Sequence, residues 1–347
     1  MREVLILISK KELRARILLI VVCLAVGLYC LYTMDKSYDP LARYPYTTDE
    51  NRDVLLKYLD SDDIDYLVNQ HISPDKFMDF IELKDSLYYK EAKETQDADN
   101  EYIVNFVNRF RKNFSYDSLK QLLMHYSYID LTTFYENEAV LYSDLRLIAD
   151  PTNPYVVLNQ ENTVYKYIPE KITTFNTILV QTCMVEDLTN MLDSYASVMD
   201  GQDRLNLVSG YLNYEQILDQ YVNASKEYEG VDHYMFSAGK NEQQLGYTIV
   251  LEGHDEWINL CRQYVDDEYD YSKVEEELSE ESKKRMEWIE ENAYRYGFVV
   301  RYQQEQEKKT GHWYQPFMLR YVGVKTAKVM HDSGKGMEQM SFPDELE

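Results

Sequence analysis

One apolar run, Ile17 to Tyr32, constrains this chain more than any other feature. Arg2, Lys10, Lys11, Arg14 and Arg16 precede it, and Asp35 and Asp39 follow it, so one flank is basic and the other acidic. With Thr33 and Met34 added, the run nears the ~20 residues that a bilayer core demands. No small-residue cleavage motif follows it. We therefore expect a basic cytoplasmic segment at 1–16, a transmembrane signal anchor at 17–34 and a linker at 35–49, with the rest of the chain outside the cytoplasmic membrane. A cleaved signal peptide would leave the body on the same side.

Beyond the linker there is enough apolar material for real cores, since 45% of the 347 residues are hydrophobic. Acidic residues outnumber basic ones 61 to 36, giving a net charge of −25. Such a surface repels phosphate backbones, so nucleic acid is not an expected partner. The 33 tyrosines, against 12 glycines and 8 prolines, suit helical layers with half-exposed aromatic faces. Of four cysteines, Cys23 and Cys30 fall in the apolar run, which leaves Cys183 and Cys261. No C-x-x-C pair is present, which excludes a cysteine zinc cluster; a Cys183–Cys261 disulfide stays open.

Residues 50–148 read as a small all-helical domain. Ser61 and Asp62 precede Ile64, Leu67 and Val68, and Ser73-Pro74-Asp75 opens a segment with Phe77, Phe80 and Ile81. Ile103, Val104, Phe106, Val107 and Phe110 recur at helical spacing, as do Leu119, Leu122, Leu123 and Tyr126. Asp150-Pro151-Thr152-Asn153-Pro154 breaks that pattern, and the apolar Tyr155–Leu158 predicts a first strand. Further on, helices are expected at about 185–199, 214–225 and 286–296. Strands are expected at 205–208, 247–251 and 298–302. The second domain, 149–342, is thus α+β, with helices around a small antiparallel sheet.

Five ordered blocks give that second domain a family resemblance. Leu158-Asn159 with Asn162, Tyr167 and Pro169 comes first, then Ser209-Gly210-Tyr211 with Tyr214 and Gln216. Asn241-Glu242-Gln243-Gln244-Leu245-Gly246 follows, then Trp288 to Phe298 with Arg301-Tyr302, and last Tyr314-Gln315-Pro316-Phe317-Met318-Leu319-Arg320-Tyr321-Val322-Gly323. This wording resembles the VanY-like D-alanyl-D-alanine carboxypeptidases, zinc peptidases that trim peptidoglycan stem peptides. The resemblance implies a VanY/Hedgehog-type fold over about 151–340 and a zinc held by two histidines and an aspartate.

The chain departs from that chemistry where the resemblance places it. The metal-ligand positions carry Gln243, Val250 and Met318, and the general-base position carries Gln315. The arginine that would hold the substrate carboxylate is Leu212. A glutamine oxygen is a weak zinc ligand, valine is none, and a thioether prefers softer metals. Zinc is therefore expected to be absent. Val250 and Met318 would fill apolar volume where unmetallated ligands would be costly to bury. His233, His254 and His312 lie in the same domain, but at no recognisable ligand spacing. Ser209, Tyr211, Leu212, Gln216, Glu242, Arg320 and Tyr321 mark a candidate groove. The acidic stretch 266–281 reads as a solvated face.

The leading expectation is a membrane-anchored, extracytoplasmic pseudo-carboxypeptidase that binds peptidoglycan or regulates a cell-envelope protein. The competing reading is an active D-alanyl-D-alanine carboxypeptidase with an unorthodox metal site. A third is a helical binding domain for which the second domain is a spacer.

Overall fold

The computed structural model describes residues 10–59, 61–76, 78, 116–126, 128–141, 144–266 and 268–342. The chain divides into two compact units, residues 1–81 and 82–347. The expected helix through Ile103–Phe110, and the segment carrying Phe77, Phe80 and Ile81, lie outside the described residues.

The first unit opens with helix α1 (Lys10–Ser37). Within it, the 21 residues Arg14–Met34 are long and apolar enough to cross a membrane, and among the described residues nothing buries them. A short 3₁₀ turn (Pro40–Arg43) follows, capped by Asp39, whose side chain accepts from the Leu41 N–H. Helices α2 (Arg52–Tyr58) and α3 (Ser61–Gln70) then bury Leu55, Ile64 and Leu67 with Leu41 and Tyr44. The Tyr44 hydroxyl donates to the Ile72 carbonyl at 2.6 Å, so this tyrosine is buried without losing its polar partner.

The second unit begins, in its described part, with α4 (Tyr116–His125) and α5 (Tyr128–Thr133), which runs on through a π turn at Phe134–Glu138. Both lie against the region that follows. Tyr126 and His125 pack on Tyr167 at 6.2 and 6.5 Å, and Phe134 on Tyr165 at 5.6 Å. The Tyr126 hydroxyl also donates to the Ile148 carbonyl.

Residues 155–158, expected as a strand, are irregular. Their backbone finds partners among buried side chains instead of a neighbouring strand. The carbonyls of Pro154 and Val156 accept from Arg320, and the Leu158 N–H donates to Glu242. Apolar content alone could not distinguish those two ways of satisfying a backbone.

Two small pairs flank the main sheet. Strands β1 (Arg146–Leu147) and β2 (Asn162–Thr163) pair in parallel, and β3 (Ile172–Phe175) and β4 (Ile178–Gln181) form a hairpin. Helix α6 (Val185–Val198) then buries Leu188, Met191 and Tyr195. The main sheet comprises β5 (Leu207–Ser209), β6 (Thr248–Leu251), β7 (Phe298–Val300) and β8 (Met318–Tyr321), all antiparallel and ordered β5-β6-β8-β7. Every residue of β6 and β8 is buried, as the central position of these strands requires.

Helix α7 (Tyr214–Glu227) follows β5, and α8 (His254–Tyr264) follows β6. Next come α9 (Ser272–Glu277) and α10 (Glu280–Asn292), then α11 (Val324–Ser333) after β8. The expected helices at 185–199 and 214–225 and the three later strands are present within a few residues. Helix α8 and the β3–β4 hairpin were not anticipated. Cys183 is exposed and Cys261 buried, and both are free thiols; burial pushes the Cys261 thiol up to about 12.

Candidate active site

The sheet register gathers the site. Ser209 on β5 faces Val250 on β6, and Val250 faces Met318 on β8. Val250 and Met318 are 6% and 5% exposed and close an apolar cluster with Tyr302. Two expected ligand positions are thus cross-strand neighbours whose side chains are in contact with carbon.

The third expected ligand, Gln243, stands on a 3₁₀ turn (Glu242–Leu245) beside β6. Asn241 caps this turn, accepting from the Gln243 N–H at 2.9 Å. Gly246 ends it at φ +78, where a Cβ would come within 2.5 Å of Ile172 Cδ1. The Gln243 side-chain nitrogen donates to Ser209 Oγ (2.7 Å) and to the Gly210 carbonyl (2.9 Å). Gly210 itself has no room for a side chain, because the Leu179 carbonyl of the hairpin occupies that space.

Gln315, the expected base position, is completely buried just ahead of β8. Its nitrogen donates to the Tyr234 carbonyl at 3.1 Å, and its oxygen accepts from His254 Nε2 at 3.0 Å. His254 Nε2 therefore carries a proton, and Nδ1 faces Asp255 at 3.6 Å. The adjacent His254 ring holds the Asp255 carboxyl below its usual range.

Beneath these residues lies a buried ionic network. The Glu242 carboxylate, 0% exposed, meets Arg301 at 2.9 Å and forms a close ion pair with Arg320. Arg301 reaches Glu338 at 2.8 Å. Burial alone would raise the Glu242 carboxyl, but the two guanidiniums outweigh it and hold the carboxyl below its ordinary value. The network ties the 3₁₀ turn to β8 and to the chain after β7, and so fixes where Gln243 stands.

The groove residues separate under this geometry. Ser209, Tyr211 and Leu212 sit half-exposed along the chain leaving β5, where Tyr211 N–H is held by the Leu179 carbonyl. Gln216 caps α7 in a reciprocal pair of bonds with Asn213 (2.8 and 2.9 Å). Glu242 and Arg320 are interior. The Tyr321 hydroxyl donates to Asp187 on α6 at 2.7 Å, on the opposite face of β8 from Met318.

The three candidate histidines do not converge. His233 stacks on Trp313, His254 bonds Gln315, and His312 is wedged between Phe236 and Tyr302 at 3.9 and 4.1 Å. Among the described residues, no three His, Cys, Asp or Glu side chains come together as a metal site. The partners that sequence reasoning missed are Tyr302, His254 and the Tyr234 carbonyl, together with the roles of Arg301 and Glu338. A histidine opposite a glutamine 61 residues away leaves no local pattern.

Residues 177–324 match the family described as VanY, D-alanyl-D-alanine carboxypeptidase. The C-terminal domain is VanY-like. A D-alanyl-D-alanine carboxypeptidase of Enterococcus faecium is 27% identical over 158 residues, covering 38% of this chain and 47% of that protein. YodJ of Bacillus subtilis (strain 168), named as a carboxypeptidase, is 29% identical over 138 residues, covering 39% and 44%. The chain therefore spans less than half the length of these curated relatives. Among solved structures, VanYB in complex with D-alanine-D-alanine superposes with TM-score 0.41 at 20% identity, over 54% of this chain and 96% of that one. The LdcB LD-carboxypeptidase gives 0.42 at 25%, over 56% and 88%. The match starts within the β3–β4 hairpin and ends at the start of α11, so it takes in the whole main sheet of the VanY-like domain.

Proposed function

We propose that this protein is a membrane-anchored, extracytoplasmic pseudo-carboxypeptidase, whose VanY-like domain holds peptidoglycan or a cell-envelope protein without cleaving it. The observation that carries this reading is the Val250–Met318–Tyr302 cluster: apolar side chains fill two of the three positions that correspond to metal ligands. A catalytic zinc needs three nitrogen, oxygen or sulfur donors and an open coordination position. Valine has no lone pair to offer, methionine favours soft metals, and Gln243 is engaged with Ser209 and Gly210. Gln315 cannot take a proton at neutral pH. These residues do not fit a zinc ion.

Retention supports a binding role. The turn bearing Gln243 keeps its cap, its left-handed glycine and its buried ionic anchor, so the geometry of the remnant is held although its chemistry is replaced. The exposed surface left at the site is Ser209, Tyr211 and Leu212, and leucine in the last position argues for a ligand without a free carboxylate there. Helix α1 would hold the domain at the outer face of the membrane, with residues 1–16 inside.

The test is cosedimentation of the full-length protein with purified peptidoglycan, alongside D-alanine release from a stem pentapeptide. The expected result is binding weakened by Tyr211→Ala and Leu212→Asp, with no release. Release of D-alanine would establish the active-enzyme alternative and turn attention to His233, His254 and His312.

A further inference from the structure

A cavity of about 200 Å³ lies on the far side of the sheet from the β5 end of the remnant, beside the edge strand β7. Its apolar wall has Ile289 and Ala293 from the α10 side and Val299 from β7, and its polar lining comprises Glu290, Gln303, Gln304, Tyr314, Tyr294 and His331. β7 pairs with β8 on one side only. The Val322 N–H donates to the Gly297 carbonyl, and the Arg301 N–H to the Met318 carbonyl. Alternation along an antiparallel pair then turns the backbone groups of Val300 away from β8, toward the cavity. Among the described residues, no backbone group outside the sheet takes them up. Val300 also keeps part of its surface open.

Glu290 is the carboxylate of the cavity lining, and His331, stacked on Tyr294, is its basic group. Glu290 is oriented by a hydrogen bond from the Tyr314 hydroxyl, and Glu275, Glu287 and Glu291 lie close enough to act on it electrostatically. An occupant must therefore offer three things: main-chain groups for an open strand edge, an aliphatic stem for the apolar wall, and a cation for Glu290. A lysine side chain on an extended peptide supplies all three.

We propose that the β7 edge and this cavity form a docking site for an extended, lysine-bearing peptide segment of a partner protein. The site is separate from the remnant, and the proposal holds whether or not the remnant binds peptidoglycan. Val300 hydrogen-bonds the peptide backbone, and Glu290 receives the lysine ammonium.

The test uses the full-length protein in nanodiscs of neutral lipid. The probe is a dye-labelled, end-blocked pentapeptide with one central lysine between valines and threonines, followed by fluorescence anisotropy. Saturable binding is expected. Glu290→Gln should weaken it about tenfold, as should norleucine in place of the peptide's lysine. A proline-substituted peptide of the same charge should fail to bind, because it cannot extend the sheet. Val300→Pro should act like the peptide proline, and Glu290→Gln keeps the test decisive if Val300→Pro does not fold. The proposal is overturned if the parent peptide does not bind, if Glu290→Gln binds it unchanged, or if the proline peptide binds equally well. That last result would mean only general attraction to an acidic protein.

Discussion

Replacing Glu242 by glutamine should be among the most damaging single changes to the VanY-like domain. The carboxylate is wholly enclosed and meets Arg301 at 2.9 Å, Arg320 in a close pair and the Leu158 N–H at 3.1 Å. The amide keeps the shape but leaves two buried guanidiniums without their shared counter-charge. Breaking a buried ion pair from one side costs about 3–5 kcal/mol, against a total of roughly 5–15 kcal/mol for a domain. The assay is urea unfolding of the full chain in micelles, followed by near-ultraviolet circular dichroism. The aromatic cluster of Trp257, Tyr271 and Tyr314 and the Tyr195–Trp288 pair report on this unit. Because the folded Glu242 carboxyl lies below its unfolded value, its contribution is present above the unfolded pKa of about 4.3 and is lost as pH falls through the folded value. A loss below about 1 kcal/mol on Glu242→Gln would refute the claim that this network anchors the Gln243 turn.

Other consequences are as direct. His312 is 2% exposed, neither ring nitrogen has a hydrogen-bond partner among the described residues, and burial, aided by Arg301, holds it far below the usual histidine range. The unfolded chain therefore binds the extra proton, and stability should fall by about 1.4 kcal/mol per pH unit below about 6.5. His312→Leu should remove that slope in thermal melts between pH 7.5 and 5.5 and cost little at pH 7.5, since it leaves no polar atom buried unpaired. Asn213→Ala removes the cap of α7 and should cost about 1 kcal/mol by denaturant midpoint. Gly246→Ala forces a side chain into left-handed backbone and against Ile172 Cδ1, and should cost at least about 1 kcal/mol and weaken peptidoglycan binding.

Much of this arrangement could be read from residue order. Helical spacing and capping residues located α3, α6 and α7 because those signals are local. The ordered blocks named Gln243, Val250, Gln315 and Met318 as one candidate site, and the register Ser209–Val250–Met318 brings Val250 and Met318 side by side. What escaped was set by long-range polar pairing. Tyr155–Leu158 looked like a strand, but its backbone serves Arg320 and Glu242, residues more than 80 positions away. Glu242 and Arg320 were expected in the groove because they stand at positions resembling the family's, and the structure buries both in an ion pair with each other. Helix α8 begins at Gly253-His254 without a side-chain cap, so nothing local announced it.

The most direct measurement of the central claim is metal content. The purified protein is incubated with zinc, desalted and analysed for bound metal, while D-alanine release from a stem pentapeptide is followed on the same sample. A non-catalytic remnant built on Val250, Met318 and Tyr302 predicts no retained zinc and no release. Near-stoichiometric zinc accompanied by D-alanine release would contradict it.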